Sequence, residues 1–278
     1  MPDPTPKKAG KARLTYSNDR DPVARKLLMR AIELATGRRR IEKLYHEIYD
    51  MDLQPAEVWK ACLEQLKIEA QYETEQLDKI PTEGPLVFIA NHPFGVVDGL
   101  MLGHLVSQVR PRFFVLVNSL LLGEALLDDF LLPVNFEESR EAVRQNIHTK
   151  QETIRRIAAG EALAIFPGGG VATARKWYKK EVEEFEWKRF TAKVVQQSKA
   201  TVIPIFFHGR NSRLFQLASK INPNLRLSLL INEIRNKMNS PLQISIGDPL
   251  PYQDLAQIKD RQQLLDHLKA SVLALGQV

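Results

Sequence analysis

The 278-residue sequence has one cysteine and no long hydrophobic run, and these two absences exclude several classes of protein. A single cysteine, Cys62, cannot form an internal disulfide, which argues against a disulfide-stabilised secreted domain. No apolar run approaches the ~20 residues that a membrane-spanning helix needs. Residues 1–10 also lack the apolar centre of a signal peptide. We therefore expect a cytoplasmic protein.

The sequence also lacks the patterns of metal, nucleotide and covalent chemistry. Its six histidines show no His-x-x-x-His spacing, so we predict no metal site. No serine stands in a Gly-x-Ser-x-Gly turn, and Cys62 lies among apolar residues at helical spacing, as a core side chain would. The glycine run 168–170 is not followed by the lysine of a nucleotide-binding loop. We expect no cofactor.

Positive charge is concentrated near the N-terminus. Residues 1–40 hold eleven lysines or arginines and only four acids, whereas the whole chain has a formal net charge of +6. We predict a disordered basic tail over residues 1–18, followed after Asp21-Pro22 by an amphipathic helix. Such a segment suits an anionic membrane surface, although the apolar face of the helix could instead pack against the protein. No nucleic-acid-binding pattern accompanies it, so we expect no nucleic acid as a partner.

Beyond residue 40 the apolar spacing becomes helical and then alternates between strand and helix. Residues 19–80 are predicted as an N-terminal helical segment, and a turn at residues 81–85 opens an α/β core over residues 81–278. The predicted strands are residues 86–90, 113–117, 162–166, 202–206 and 243–246. Strands that alternate with helices predict an α/β fold with a mostly parallel central sheet covered by helices.

The strongest functional signal lies between residues 86 and 98. The apolar run 86–90 ends at Asn91-His92-Pro93, where proline stops strand pairing, and Asp98 stands at the start of the next helical pattern. Ligands of open α/β sheets bind where the strands end. Asp98 could therefore hold the imidazole of His92 while the other ring nitrogen takes a proton from an alcohol. The alternative is a helix-capping Asp98 beside an ordinary turn histidine.

Four blocks in order resemble the motifs of the glycerolipid and lysophospholipid acyltransferases, the PlsC-like family. They are residues 91–99, 112–118, 166–170 and 202–205, within a resemblance that covers roughly residues 80–250. The family's first motif is Asn-His, four residues and Asp, and its third is Phe-Pro-Glu-Gly-Thr. The resemblance implies an O-acyltransferase of membrane lipid synthesis. Such an enzyme moves a fatty acyl group from acyl-CoA or acyl carrier protein to the hydroxyl of a lyso-lipid.

Two features depart from the family pattern. Five residues rather than four separate His92 from Asp98, and Gly168 and Gly170 stand where glutamate and threonine are usual. Together with residues 209–215, these departures resemble a bacterial branch whose members often carry the label hemolysin. Some of these members resemble the O-acyltransferases of ornithine-lipid synthesis. The missing glutamate bears on the choice of acceptor more than on acyl transfer itself.

The motifs supply the candidate site residues. His92 and Asp98 are the expected catalytic pair, with direct attack of the acceptor on the thioester. The expected substrate-binding residues are Asn91, Gly95, Arg112, Gly168, Gly169, Gly170, Arg210 and Asn211. Backbone amides of the glycine run could cradle an anion, and Arg210 is the candidate partner for an anionic acceptor.

Two other classes stay open at this point. One is a hydrolase that uses the same His92–Asp98 pair to activate water, and the other is a non-catalytic lipid-binding protein of the same fold. The preferred function, together with the basic N-terminus, predicts a peripheral protein on the inner face of the plasma membrane.

Overall fold

The computed structural model describes residues 37–119, 126–135, 139–174, 182–221, 226 and 228–277, with residues 23 and 27. The predicted basic tail and most of the amphipathic helix that follows it lie outside the described residues. In the part of the chain that is described, no helix is both long enough and apolar enough to cross a membrane.

The fold is built on a central sheet. Within the described residues this sheet has seven strands in the order β1-β7-β6-β2-β5-β3-β4. The strands are β1 (Glu69–Gln71), β2 (Leu86–Ala90), β3 (Phe113–Asn118), β4 (Leu131–Val134), β5 (Ala162–Ile165), β6 (Thr201–Phe207) and β7 (Pro241–Ile246). Strands β6, β2, β5, β3 and β4 are parallel, whereas β7 is antiparallel to β6 and parallel to β1. The predicted mostly parallel α/β sheet is confirmed.

Helices cover both faces of the sheet. They are α1 (Arg38–Tyr49), α2 (Glu57–Leu66), α3 (Glu75–Asp78), α4 (Val96–Val109), α5 (Arg140–Ala158), α6 (Phe190–Ser198), α7 (Arg213–Ile221), α8 (Leu230–Lys237), α9 (Tyr252–Leu255) and α10 (Arg261–Ala274). Phe88 of β2 packs into the cluster that includes α1, α2, α4 and α8, whereas its neighbours Val87 and Ile89 pack into the cluster of α5, α6 and α10. Because both faces are buried, β2 reads as a continuous apolar run.

The segment before residue 80 shares this core. Strand β1 pairs with β7, and α2 packs tightly against α4, since a Cβ added at Gly103 would lie 2.2 Å from the ring of Trp59. The glycine is required there because no larger residue leaves room for the tryptophan. Helices α1 and α2 are thereby held over the same face of the sheet as α4.

The structure departs from the sequence prediction at polar or irregular elements. The three-residue strand β1 is mostly exposed, and β4 contains Pro133, so neither shows a strong strand pattern. Residues 252–274 form two helices, α9 and α10. The carboxylate of Asp260 accepts hydrogen bonds from the backbone amides of Gln262 and Gln263 and thereby caps the start of α10.

Candidate active site

The turn between β2 and α4 is built around one carboxylate oxygen. Asp98 lies in the first turn of α4 and is fully buried. Its Oδ2 accepts the backbone N–H of Phe94 at 2.7 Å and of Gly95 at 3.0 Å, and it lies 3.0 Å from Nδ1 of His92. The helix-capping role and the histidine-holding role, which the sequence offered as alternatives, therefore belong to the same atom.

Gly95 explains how this turn accommodates five residues between His92 and Asp98. Its φ of 86° lies in a region that favours glycine, and a Cβ there would lie 2.9 Å from a methyl group of Leu230. The extra residue is thus absorbed in the turn, and the first turn of α4 still reaches back to the histidine.

His92 has one ring nitrogen engaged and one available. The imidazole stacks on Phe166, with ring centroids 4.0 Å apart and planes 22° from parallel, and its side chain is 16% exposed. With Nδ1–H donating to Asp98, Nε2 remains to accept a proton. Burial raises the pKa of Asp98, while the hydrogen bond from His92 is the largest effect that opposes the rise. The pair has the geometry of a general base and its orienting acid.

A second carboxylate, that of Glu184, holds His92 through its main chain. Glu184 Oε1 accepts the His92 backbone N–H at 2.8 Å, and Oε2 lies 3.4 Å from the indole nitrogen of Trp187. Burial raises the pKa of Glu184. Sequence reasoning missed this residue, because nothing distinguishes it locally from Glu183 and Glu186 in the same charged stretch.

The glycine run 168–170 is explained by the loop that carries Glu184, residues 182–188. A Cβ at Gly168 would lie 3.3 Å from Glu184 Oε2, and one at Gly170 would lie 3.1 Å from the ring of Phe185. Gly169 has a φ of 66° and closes a turn onto Phe166. The space that the usual glutamate and threonine side chains would occupy is therefore filled from another part of the chain.

Two predicted substrate-binding residues have other roles. Asn91 is buried, and its side-chain amide donates to the carbonyl of Phe207 and accepts the N–H of the same residue. Arg112 precedes β3, at the edge of the sheet opposite His92, where its side chain is 69% exposed and lies 3.8 Å from Glu161. We correct both assignments: Asn91 joins β2 to β6, and Arg112 is remote from the site.

The remaining candidates divide between two places. Gly95, Gly169 and Gly170 line a cavity beside His92, whereas Gly168 contacts loop 182–188. Arg210 and Asn211 follow β6 at the same edge of the sheet, but neither side chain lines that cavity. Asn211 is buried, and its role in substrate binding stays a prediction.

The cavity beside His92 has a volume of about 660 Å³ and mostly apolar walls. Apolar side chains from α1, α4, β3, α8 and the segment before β4 line it, among them Ile41, Leu44, Ile48, Leu100, Val117, Leu127, Ile231 and Ile234. Cys62 also lines it, and burial raises the pKa of this thiol to about 12. The thiol is therefore protonated at neutral pH and is a poor nucleophile.

The chain is similar to known acyltransferases. The family model described as Acyltransferase matches residues 21–271. A lyso-glycine lipid O-acyltransferase of Phocaeicola vulgatus is 28% identical over 228 residues, which are 78% of this chain and 76% of that protein. The protein of the same name from Bacteroides thetaiotaomicron is 27% identical, over 78% of each chain.

The fold has a solved counterpart. The crystal structure of the 1-acyl-sn-glycerophosphate acyltransferase PlsC from Thermotoga maritima matches 91% of this chain and 96% of its own, with a TM-score of 0.51 at 13% sequence identity. That likeness shows a shared architecture, and the family match extends over almost the whole sequence. The chain belongs to the acyltransferase family and has the PlsC fold.

Proposed function

We propose that the protein transfers a fatty acyl group from an acyl thioester to the hydroxyl of a lyso-lipid. The observation that carries the proposal is the apolar cavity that opens beside His92, because it brings a general base to the end of a site for hydrocarbon chains. The names of the two curated relatives support a lyso-lipid acceptor. Acyl-CoA and acyl carrier protein both present the required thioester.

The reaction uses His92 as base and then as acid. Nε2 takes the proton of the acceptor hydroxyl, and the oxygen attacks the thioester carbonyl. The tetrahedral intermediate then collapses, the carbon–sulfur bond breaks, and the thiol leaves with the proton from His92. Asp98 keeps the imidazole in the required tautomer and stabilises its charged form. Backbone amides near the glycine run stabilise the oxyanion, a contribution of about 3–4 kcal/mol for each donor.

An assay of the purified protein with an acyl thioester and a lyso-lipid tests this proposal. The expected products are the acylated lipid and free thiol, with no free fatty acid released when the acceptor is left out. Free fatty acid formed at the same rate without acceptor would show a hydrolase instead. Binding of lipid without turnover would show a non-catalytic protein.

The cavity makes a more specific test possible at Gly99. This residue of α4 lines the cavity, and a Cβ built on it meets no atom within 4 Å. A leucine there would extend into the open space, so Gly99→Leu should shift the preference toward acyl chains several carbons shorter. Gly99→Ala is the matched control, since it changes the same helix without filling the cavity. An unchanged chain-length profile in Gly99→Leu would contradict the placement of the acyl chain.

We also propose that the enzyme acts as a peripheral protein on the inner face of the plasma membrane, where it contributes to membrane lipid synthesis. The basic residues before position 40 supply the attraction to anionic lipid. Removal of residues 1–20 should weaken binding to anionic vesicles and leave transfer to a detergent-dispersed acceptor intact. Unchanged vesicle binding would assign this segment another role.

A further inference from the structure

The charges that line the reaction cavity have one sign. Among the described residues around it, Lys188 and Arg226 are the cationic side chains, and no aspartate or glutamate belongs to the lining. The neighbouring carboxylates are both turned to His92, since Asp98 binds its ring and Glu184 binds its backbone. The cavity thus combines apolar walls with a local excess of positive charge.

Arg226 is the more constrained of the two cations. Its side chain is partly buried, and its guanidinium carbon lies 5.5 Å above the ring of Phe185. Within the described part of the chain, no carboxylate lies in ion-pair distance of it, and burial lowers the pKa of the guanidinium. Partial withdrawal of a guanidinium from water has a cost that an anionic partner lowers. The aromatic ring offsets only part of that cost.

Contacts connect Arg226 to the reacting end of the cavity. Arg226 lies over the ring of Phe185, and the same ring covers Gly170. Two residues after Gly170, the N–H of Ala172 donates a hydrogen bond to the carbonyl of His92 at 2.7 Å. The acceptor must place its hydroxyl at His92. An anion on the acceptor's head group would therefore lie near the hydroxyl and within this same region.

We propose that Arg226, assisted by Lys188, forms an oxyanion-binding subsite for the head group of the acyl acceptor. The inference rests on the proposed function and adds the residues that select an acceptor with a free carboxylate or phosphate. A planar guanidinium binds either group through two parallel hydrogen bonds, and Lys188 adds a second charge at the rim. Neither residue belongs to the four sequence motifs, and the subsite takes over the role that the sequence suggested for Arg210.

Steady-state kinetics with three matched acceptors test the subsite. The probes are a hydroxyacyl-glycine, which has a free carboxylate, its uncharged methyl ester, and the corresponding hydroxyacyl lipid with a phosphate. Arg226→Gln should raise the apparent KM for the two anionic acceptors by roughly 10- to 150-fold, the range for a lost charge-assisted hydrogen bond. The KM of the methyl ester and of the acyl thioester should stay unchanged. Lys188→Gln should have the same direction and a smaller size, because Lys188 is exposed.

The controls separate the possible outcomes. Arg155→Gln removes an arginine whose side chain is 65% exposed on α5, and it should leave all four constants unchanged. A rise in the KM of the thioester alone would overturn the proposal and assign Arg226 to the donor's phosphates. An equal loss on charged and uncharged acceptors would also overturn it, as would no effect on any substrate. If the wild-type protein transfers no acyl group to any acceptor, the proposed function itself fails.

Discussion

Two carboxylates from different regions of the chain hold His92. One binds its ring and affects its protonation, whereas the other binds its backbone and affects its position. Asp98 lies six residues after His92, on the helix that the same turn begins, and binds the ring. Glu184 lies 92 residues after it, on loop 182–188, and binds the backbone N–H. The first contact fixes which nitrogen carries a proton. The second fixes where the ring stands relative to Phe166 and the glycine turn.

The largest effect is expected from the histidine that both carboxylates hold. His92→Ala should lower turnover by roughly 10²–10⁴-fold, the usual contribution of a positioned general base. The melting temperature should change little, because the side chain is not part of the apolar core. Turnover with purified protein and thermal unfolding measure the two quantities. Wild-type turnover in this variant would contradict the proposed mechanism.

An almost equal loss of turnover is expected when Asp98, which binds the His92 ring, is changed. Asp98→Asn keeps an oxygen that can accept the N–H groups of Phe94 and Gly95, so the start of α4 should remain folded. The amide can favour the wrong tautomer of His92, and turnover should fall by at least about 10²-fold. Circular dichroism checks the fold, and Asp98→Ala, which removes the cap as well, should also lose stability. Equal stability of the two variants would contradict the double role of Asp98.

Loss of the Glu184 contact to the His92 backbone should give a smaller effect, seen as a lower kcat. Glu184→Ala should lower kcat by about tenfold, as the loss of one hydrogen bond to a charged acceptor allows, and leave both KM values unchanged because Glu184 does not line the cavity. Glu184→Gln should recover most of kcat, since the amide oxygen still accepts the His92 N–H. Equally low kcat in both variants would show that the negative charge matters rather than the hydrogen bond.

The smallest expected effect concerns pH and stability. Burial raises the pKa of Glu184, so between the ordinary glutamate pKa and the raised one the folded protein binds more protons than the unfolded chain. Stability from this group therefore falls as pH rises through that window. Glu184→Gln does not titrate, so the free energy of unfolding of the variant minus that of the wild type should increase across it. Denaturant unfolding at several pH values measures this difference, and a constant difference would contradict a raised pKa.

The same comparison shows which parts could be predicted from the sequence. Strand β2 and the His92–Asp98 pair are local, since a continuous apolar run, one proline and a spacing of six residues define them. The contacts of Glu184 and Arg226 depend on how distant segments meet, and their local sequences resemble any charged surface stretch. Strand β1 was missed for the same reason, because its polar residues become a strand only by pairing with β7.

Gly168 illustrates a prediction whose meaning changed. In the sequence, glycine stands where the family usually has glutamate, and this absence bears on the choice of acceptor. In the structure the carboxylate of Glu184 occupies that neighbourhood, so the local change at position 168 is matched by a residue that no motif includes. The glycines are visible in the sequence, but the residue that fills the space beside Gly168 could be identified only from the tertiary structure.

The pairing of distant strands has a consequence for synthesis on the ribosome. Strand β2 lies between β5 and β6, and the side chain of Asn91 is bonded to Phe207, 116 residues later. Strand β1 likewise pairs with β7, which is made much later. Since the chain emerges from its N-terminus, the segment that carries His92 leaves the ribosome long before its neighbours exist. A nascent chain that stops short of β6 would therefore contain His92 and Asp98 but lack the strand to which Asn91 binds, so we expect acyl transfer only after the last third of the chain has been made.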